Sequence, residues 1–135
     1  METIRIKKSI ITKVGADLAK EYANDANNYK ELIREMWRDD APYDAVEEYL
    51  IDEGVMDSEY DLKDYVSASD YIDMMKVAQA NRKEYFVATD FEANFKDWFC
   101  NELEERLQYY NFDLDAPVDV DAMVRMADDE KNKGR

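Results

Sequence analysis

Residues 91–110, FEANFKDWFCNELEERLQYY, constrain the fold more than any other stretch. Phe91, Phe95, Trp98, Phe99, Leu103, Leu107 and Tyr110 recur at steps of three and four. At that spacing side chains share one face of a helix, whereas a strand would scatter them over both faces. So large an apolar stripe has to be covered by other elements. The spacing therefore predicts a long helix at the centre of a core, and its aromatic residues read as packing rather than as a ligand site. Thr89 and Glu92 have the capping-box spacing at its start.

The same period marks the elements that would cover it. Ile11, Val14, Leu18 and Tyr22 form one stripe behind Ser9, a candidate cap. The NDANN run at 24–28 breaks that helix, and Tyr29, Leu32, Ile33, Met36 and Trp37 mark a second. Asp39 or Asp40 ahead of Pro42 predicts a capped third helix running to Glu53, with Gly54 as its stop. A turn or short helix is expected over 57–66. A fourth helix capped by Ser69 then passes through Tyr71, Ile72, Met75 and Ala78. A last helix should span about 118–129, after Pro117. With three Gly and two Pro in 135 residues, the reading is all-α: a compact bundle of about five to seven short helices. TIRIK at 3–7 and EYFVA at 84–88 are rich in strand formers, so an α+β domain with a small two-stranded sheet is the alternative. Residues 1–130 read as a single acidic helical domain and 131–135 as a tail expected to fray.

Chemistry is scarce. The chain has no His, which removes the usual near-neutral general base and the commonest imidazole metal ligand. Gly15, Gly54 and Gly134 are too dispersed for a phosphate-cradling loop. The acidic run at 113–121 fails as a calcium loop. Counted from Asn111, Ala116 stands where the glycine belongs and Ala122 where the bidentate glutamate belongs. Its aspartates read as turn and cap residues. Cys100, the single cysteine, cannot form an internal disulfide and sits among aromatics, as a buried inert thiol would. No catalytic residue, metal or cofactor is expected. A signal-peptide pattern and a membrane-length apolar run are both missing from the sequence, so the expected location is cytoplasmic, with no membrane partner.

Charge is where the sequence is unusual. The net charge is −15, and residues 39–75 alone hold thirteen acids against one base, Lys63, while residues 1–38 are slightly basic. General acidification of the surface would not spare the first quarter. A flexible acidic tail would not carry Tyr43, Val46, Tyr49, Leu50, Tyr60, Leu62 and Tyr65. The acids therefore belong to a folded surface. Asp40, Asp44, Glu48 and Asp52 fall at successive steps of four, one stripe with about 6 Å of rise between charges. Like charges at that spacing cost a few tenths of a kcal/mol per pair, and no Lys or Arg lies between residues 39 and 62 to offset them. Asp57, Asp61, Asp64, Asp70 and Asp73 would extend the surface. Such a surface excludes direct nucleic-acid binding and favours a basic partner.

A stripe of this spacing is comparable with phosphates along one strand of duplex DNA, where both strands together carry a charge about every 1.7 Å of axis. In small size, acidity, abundant Tyr and poverty of Lys in its middle third, the chain resembles the DNA-mimic inhibitors of phages and mobile elements, of the Ocr-like antirestriction and anti-CRISPR type. The resemblance implies a non-enzymatic inhibitor acting in the cytoplasm of a bacterial host cell. It would occupy the nucleic-acid-binding cleft of a host defence or DNA-binding protein. Asp40, Asp44, Glu48, Asp52, Asp57, Asp61 and Asp64 are then the expected partner-binding residues, with Tyr43, Tyr49, Tyr60 and Tyr65 as candidate anchors. Two other readings stand beside it: a helical protein–protein interaction module with an acidic docking face and, ranked last, a small carboxylate-dependent enzyme. Self-association through the aromatic side is left open.

Overall fold

The computed structural model describes residues 3–135 and is all-helical, with six α-helices packed as a compact bundle and no strand among the described residues. The helices are α1 (Lys8–Tyr22), α2 (Tyr29–Arg38), α3 (Ala41–Asp52), α4 (Ala68–Arg82), α5 (Phe91–Tyr109) and α6 (Val120–Asn132). Short 3-10 turns lie at Ala23–Asp25, Leu62–Asp64 and Lys83–Tyr85.

Helix α5 is the centre, as its periodicity requires. Phe95, Phe99, Leu103 and Leu107 are fully buried, and α5 touches α1, α2, α3 and α4. Burying a side chain of this size contributes roughly 1.5–3 kcal/mol, so each of these four adds substantially to the apolar stabilisation. Helix α1 approaches α5 closely at Gly15, where an added Cβ would lie 2.7 Å from a Leu103 methyl. Helix α6 packs along α1 through Met123, Met126 and Ala127. Helix α4 lies against α5, contributing Met74 and Ala78.

Local signals set most boundaries, with small displacements. Asn28 caps α2 by accepting from the Glu31 N–H at 2.8 Å, and Glu31 accepts in return from the Asn27 N–H at 2.8 Å. Gly54 ends α3 with φ 72°, and the Val55 N–H reaches back to the Leu50 carbonyl at 2.9 Å. Four expectations move. Helix α1 begins behind Lys7 with no side-chain cap, so Ser9 lies inside it. Ser67, not Ser69, caps α4 by accepting from the Asp70 N–H at 3.2 Å. Asp90, not Thr89, caps α5 by accepting from the Ala93 N–H at 3.3 Å. Asp40 stands at the head of α3, but no side chain there accepts a helix N–H, whereas Asp119 caps α6 as its run suggested, accepting from the Ala122 N–H at 3.0 Å.

The two-stranded sheet does not form. Ile4 instead makes a single parallel bridge to Val66, donating to the Tyr65 carbonyl at 2.6 Å and accepting from the Ser67 N–H at 3.0 Å. Residues 84–88 continue from a 3-10 turn into a loop with Tyr85 and Val87 exposed; their strand-forming side chains have no facing strand to pack on. Residues 131–135, expected to fray, are held: the Ser9 N–H donates to the Arg135 carbonyl at 2.7 Å, and the Arg135 guanidinium donates to the Tyr109 hydroxyl at 3.0 Å.

Candidate functional site

The inner face of α3 fixes where its acids point. Tyr43, Val46 and Leu50 are buried, and the Tyr43 ring meets Phe91 and Phe95 edge-on with centroids 6.0 and 5.7 Å apart. With these residues at i, i+3 and i+7 turned inward, Asp44, Glu48 and Asp52 fall on an exposed side. All seven expected residues, Asp40, Asp44, Glu48, Asp52, Asp57, Asp61 and Asp64, are exposed.

The structure does not arrange them as one ridge. Asp44, Glu48 and Asp52 line a groove of about 400 Å³ between α1 and α3. Asp17 and Glu21 of α1 line it too, as does Asp39 from the α2–α3 junction. Its apolar lining comes from Val14, Leu18 and the half-buried Tyr49. Asp44 also borders a second hollow of about 370 Å³, with Glu47, Asp61, Asp90 and Glu92, where Lys63 is the lining base. Asp57 and Asp64 line neither hollow. The Asp57 carboxylate accepts from the Glu59 N–H at 3.0 Å and shapes its own loop.

Asp40 departs from the stripe. It sits ahead of α3 in the left-handed region (φ 55°), and its carboxylate pairs with Lys96 Nζ of α5. The same Nζ donates to the Trp37 carbonyl at 3.1 Å and lies 4.0 Å above the centre of the Trp37 ring. The expectation that nothing offsets the stripe's charge therefore fails at this one position, because the base arrives from a distant helix. Asp70 is a second correction. It is 3% exposed, accepts from the Ile6 N–H at 2.7 Å and pairs with Arg5 Nε at 3.4 Å, so it anchors the N-terminal segment and is not part of the negative surface.

The remaining acids of the expected set stand open, in contrast with neighbours on α1. Asp17 pairs with Lys13 at 3.0 Å and Lys20 at 3.7 Å. Asp44, Glu48, Asp52, Asp57, Asp61 and Asp64 form no ion pair among the described residues. The tyrosines beside them register the field. Burial raises the Tyr22 phenol above its ordinary value, and the hydrogen bond and charge of Asp39 add to that. Burial likewise raises Tyr49, with Glu53 adding, and Tyr43, with Glu47 adding.

Of the candidate anchors, Tyr43 and Tyr65 are core, Tyr49 lines the groove and Tyr60 is exposed with its ring edge-on to Tyr65. Sequence reasoning missed Asp17, Glu21 and Asp39 in the first groove and Glu47, Asp90 and Glu92 in the second. The step of four between Asp17 and Glu21 was a signal. That α1 packs beside α3 could not be read from either helix alone. Glu47 also has a fold role, since it accepts from the Leu62 N–H at 3.0 Å and ties the 53–61 loop to α3.

No three or more Cys, Asp or Glu side chains converge as a metal-binding group among the described residues, and no described helix is long and apolar enough to cross a membrane. Comparison with protein families, curated proteins and solved structures finds no match to this chain. What the groove offers chemically is a set of carboxylate acceptors over an apolar lining, suited to Lys and Arg side chains whose stems can lie on Tyr49, Val14 and Leu18.

Proposed function

We propose that the protein is an acidic DNA-mimic inhibitor that occupies the nucleic-acid-binding cleft of a host defence or DNA-binding protein. The observation that carries this reading is the groove between α1 and α3, where acids from both helices face one opening and, among the described residues, only Asp17 forms an ion pair. Packed helices have axes about 8–10 Å apart. Two rows of carboxylate on neighbouring helices therefore flank a groove much as two phosphate strands flank a groove of duplex DNA. No bond is made or broken. The partner's Lys and Arg side chains supply the counter-charge the chain itself withholds, and binding weakens as salt rises.

The test is a pulldown from bacterial lysate with the native chain and with the triple variant Asp44→Lys, Glu48→Lys, Asp52→Lys, eluted with a salt gradient. Expected is capture of a DNA-binding protein by the native chain, release by competing duplex DNA, and no capture by the triple variant with helicity retained in circular dichroism. A partner indifferent to DNA would overturn mimicry and make the groove a docking face for a basic protein element. Unchanged capture by the folded triple variant would remove the groove from either role.

A further inference from the structure

The seam between α1 and α3 holds more than the acidic groove. A second hollow, of about 450 Å³, lies on the same two helices and shares Tyr49 with the groove as a lining residue. Along α1 the lining passes from Lys7 and Ile10 in this hollow to Val14 and Leu18 in the groove. Along α3 it passes from Glu53 and Leu50 back to Ala45 and Asp44. The two helices therefore run in opposite directions, and the hollows follow one another along one seam. From Lys7 to Tyr22 that seam is about 22 Å long.

Its two halves differ in character. The groove carries the carboxylates, whereas the hollow is lined by Ile4, Ile10, Tyr49, Leu50, Val55 and Tyr65. Val55 is 49% exposed there, yet its N–H is fixed to the Leu50 carbonyl at 2.9 Å, so the fold holds an apolar side chain in the open. Of the charged residues that also line the hollow, Arg5 and Lys7 outnumber Glu53, so no excess of negative charge draws a cation into it.

Duplex DNA has no counterpart to such a hollow. Phosphate mimicry accounts for the carboxylates and leaves the apolar half of the seam unexplained. The Lys and Arg side chains of any DNA-binding cleft suit the groove, but only a partner with an apolar side chain at the right distance fills the hollow as well. Ile10 and Leu18, one in each half, are about 12 Å apart along α1. A groove between two packed helices suits a third, which presents one face to it turn after turn.

We infer that the seam binds an amphipathic basic helix of the partner, with Lys or Arg side chains in the acidic groove and one large apolar side chain, two turns along, in the hollow beyond Tyr49. The cations speed the encounter, and the apolar anchor decides which partner stays bound. The inference rests on the reading of the acidic groove as a partner-binding face.

The probe is a blocked synthetic helix with Lys at successive turns of one face and a Leu two turns from the middle of the Lys run, made in both chain directions. One control replaces the Leu by Ala, and another moves the Leu to the opposite face. Binding to the native chain is measured by titration calorimetry at low and at high salt. Expected, in one of the two directions, is affinity at least about tenfold above that of the Ala peptide at both salts, because burial of a Leu side chain is not screened. The opposite-face peptide should bind no better than the Ala peptide. Val55→Asn should remove most of the Leu gain and leave the affinity of the Ala peptide unchanged, with helicity retained in circular dichroism. Equal binding of the Leu and Ala peptides overturns the inference and leaves the groove as a cation-binding face. An opposite-face peptide that binds as tightly as the Leu peptide also overturns it, and so does a folded Val55→Asn variant that keeps the full gain. Binding by none of the peptides removes the reading of the groove and this inference together.

Discussion

If the acids of α3 are placed for a partner rather than for the fold, reversing the central one should stabilise the free protein. Glu48 lies one helical turn from both Asp44 and Asp52, is exposed, and forms no ion pair among the described residues. Glu48→Lys removes two like-charge contacts at i,i+4 and creates two attractive ones. Each change is worth about 0.2–0.5 kcal/mol on a helix surface, so the four together give about 1–2 kcal/mol. The gain is uneven, because an acid one turn before a Lys is the better orientation and Asp44 provides it. Asp17 and Glu21 across the groove act in the same direction. For a chain of this length that corresponds to a rise of roughly 5 °C in Tm. The assay is thermal unfolding by circular dichroism at about 0.01 M and about 1 M salt, between which the screening length falls from roughly 30 Å to 3 Å. The native chain should gain stability as salt is added and the variant should gain less, so that the two curves converge. A variant that melts at or below the native temperature at low salt would refute the reasoning, because the carboxylates would then be serving the fold.

Two further perturbations address the core. Burial pushes the Cys100 thiol up to about 12, with Asp97 adding to it, from an ordinary value of 9.0. The folded state thus keeps the neutral thiol while the unfolded chain ionises. The resulting stabilisation is fully present below about pH 9 and is lost as pH rises towards 12. Cys100→Ala should cost about 1 kcal/mol at pH 7, leave partner capture unchanged, and show a smaller alkaline loss in urea melts between pH 9 and 11. Arg106 Nε and Glu130 Oε1 lie 2.8 Å apart with both side chains buried. Glu130→Ala should cost about 3–5 kcal/mol by leaving the guanidinium unpaired, and the double replacement Arg106→Met, Glu130→Leu should recover most of it in denaturant unfolding.

How much of this was legible depended on how local each feature is. The α5 stripe could be read in full, because a run of Phe, Trp and Leu at helical spacing has one physical solution wherever the rest of the chain goes. The caps could be read to within one or two residues. SASD at 67–70 offers Ser67 and Ser69, and ATDFE offers Thr89 and Asp90; the choice is made by where the preceding segment leaves the core. Ile4 pairing with Val66 and Asp70 closing on the Ile6 N–H fix that path before α4, and both join residues more than sixty positions apart. The EYFVA segment misled because strand formers register a pleated, half-buried surface, and none is adjacent to Tyr85 or Val87. The acidic stripe was legible as exposed charge on α3. Its groove was not, since half of the lining carboxylates come from outside the stripe. Nor was the neutralisation of Asp40, which comes from Lys96 on α5.

The open charges are not explained by a shortage of bases or by their distance along the chain. Where a carboxylate serves the fold, this protein brings a cation or a backbone donor to it from far away. Lys96 reaches Asp40, Arg82 reaches Asp97, Arg106 reaches Glu130, and the Ile6 N–H reaches Asp70. Even Glu47, on the same helix as the stripe, accepts from the Leu62 N–H. Against that pattern Asp44, Glu48, Asp52 and Asp61 are exceptions, exposed on the walls of two hollows that share Asp44 as a lining residue. Repulsion among them works against the fold, and under the proposed function a bound partner would repay it. A cationic side chain entering the groove from a partner would relieve it there, and would do so for several carboxylates at once. The same arithmetic that makes Glu48→Lys stabilising in the free protein makes the native arrangement favourable in a complex, and a single reversal should move the two equilibria in opposite directions.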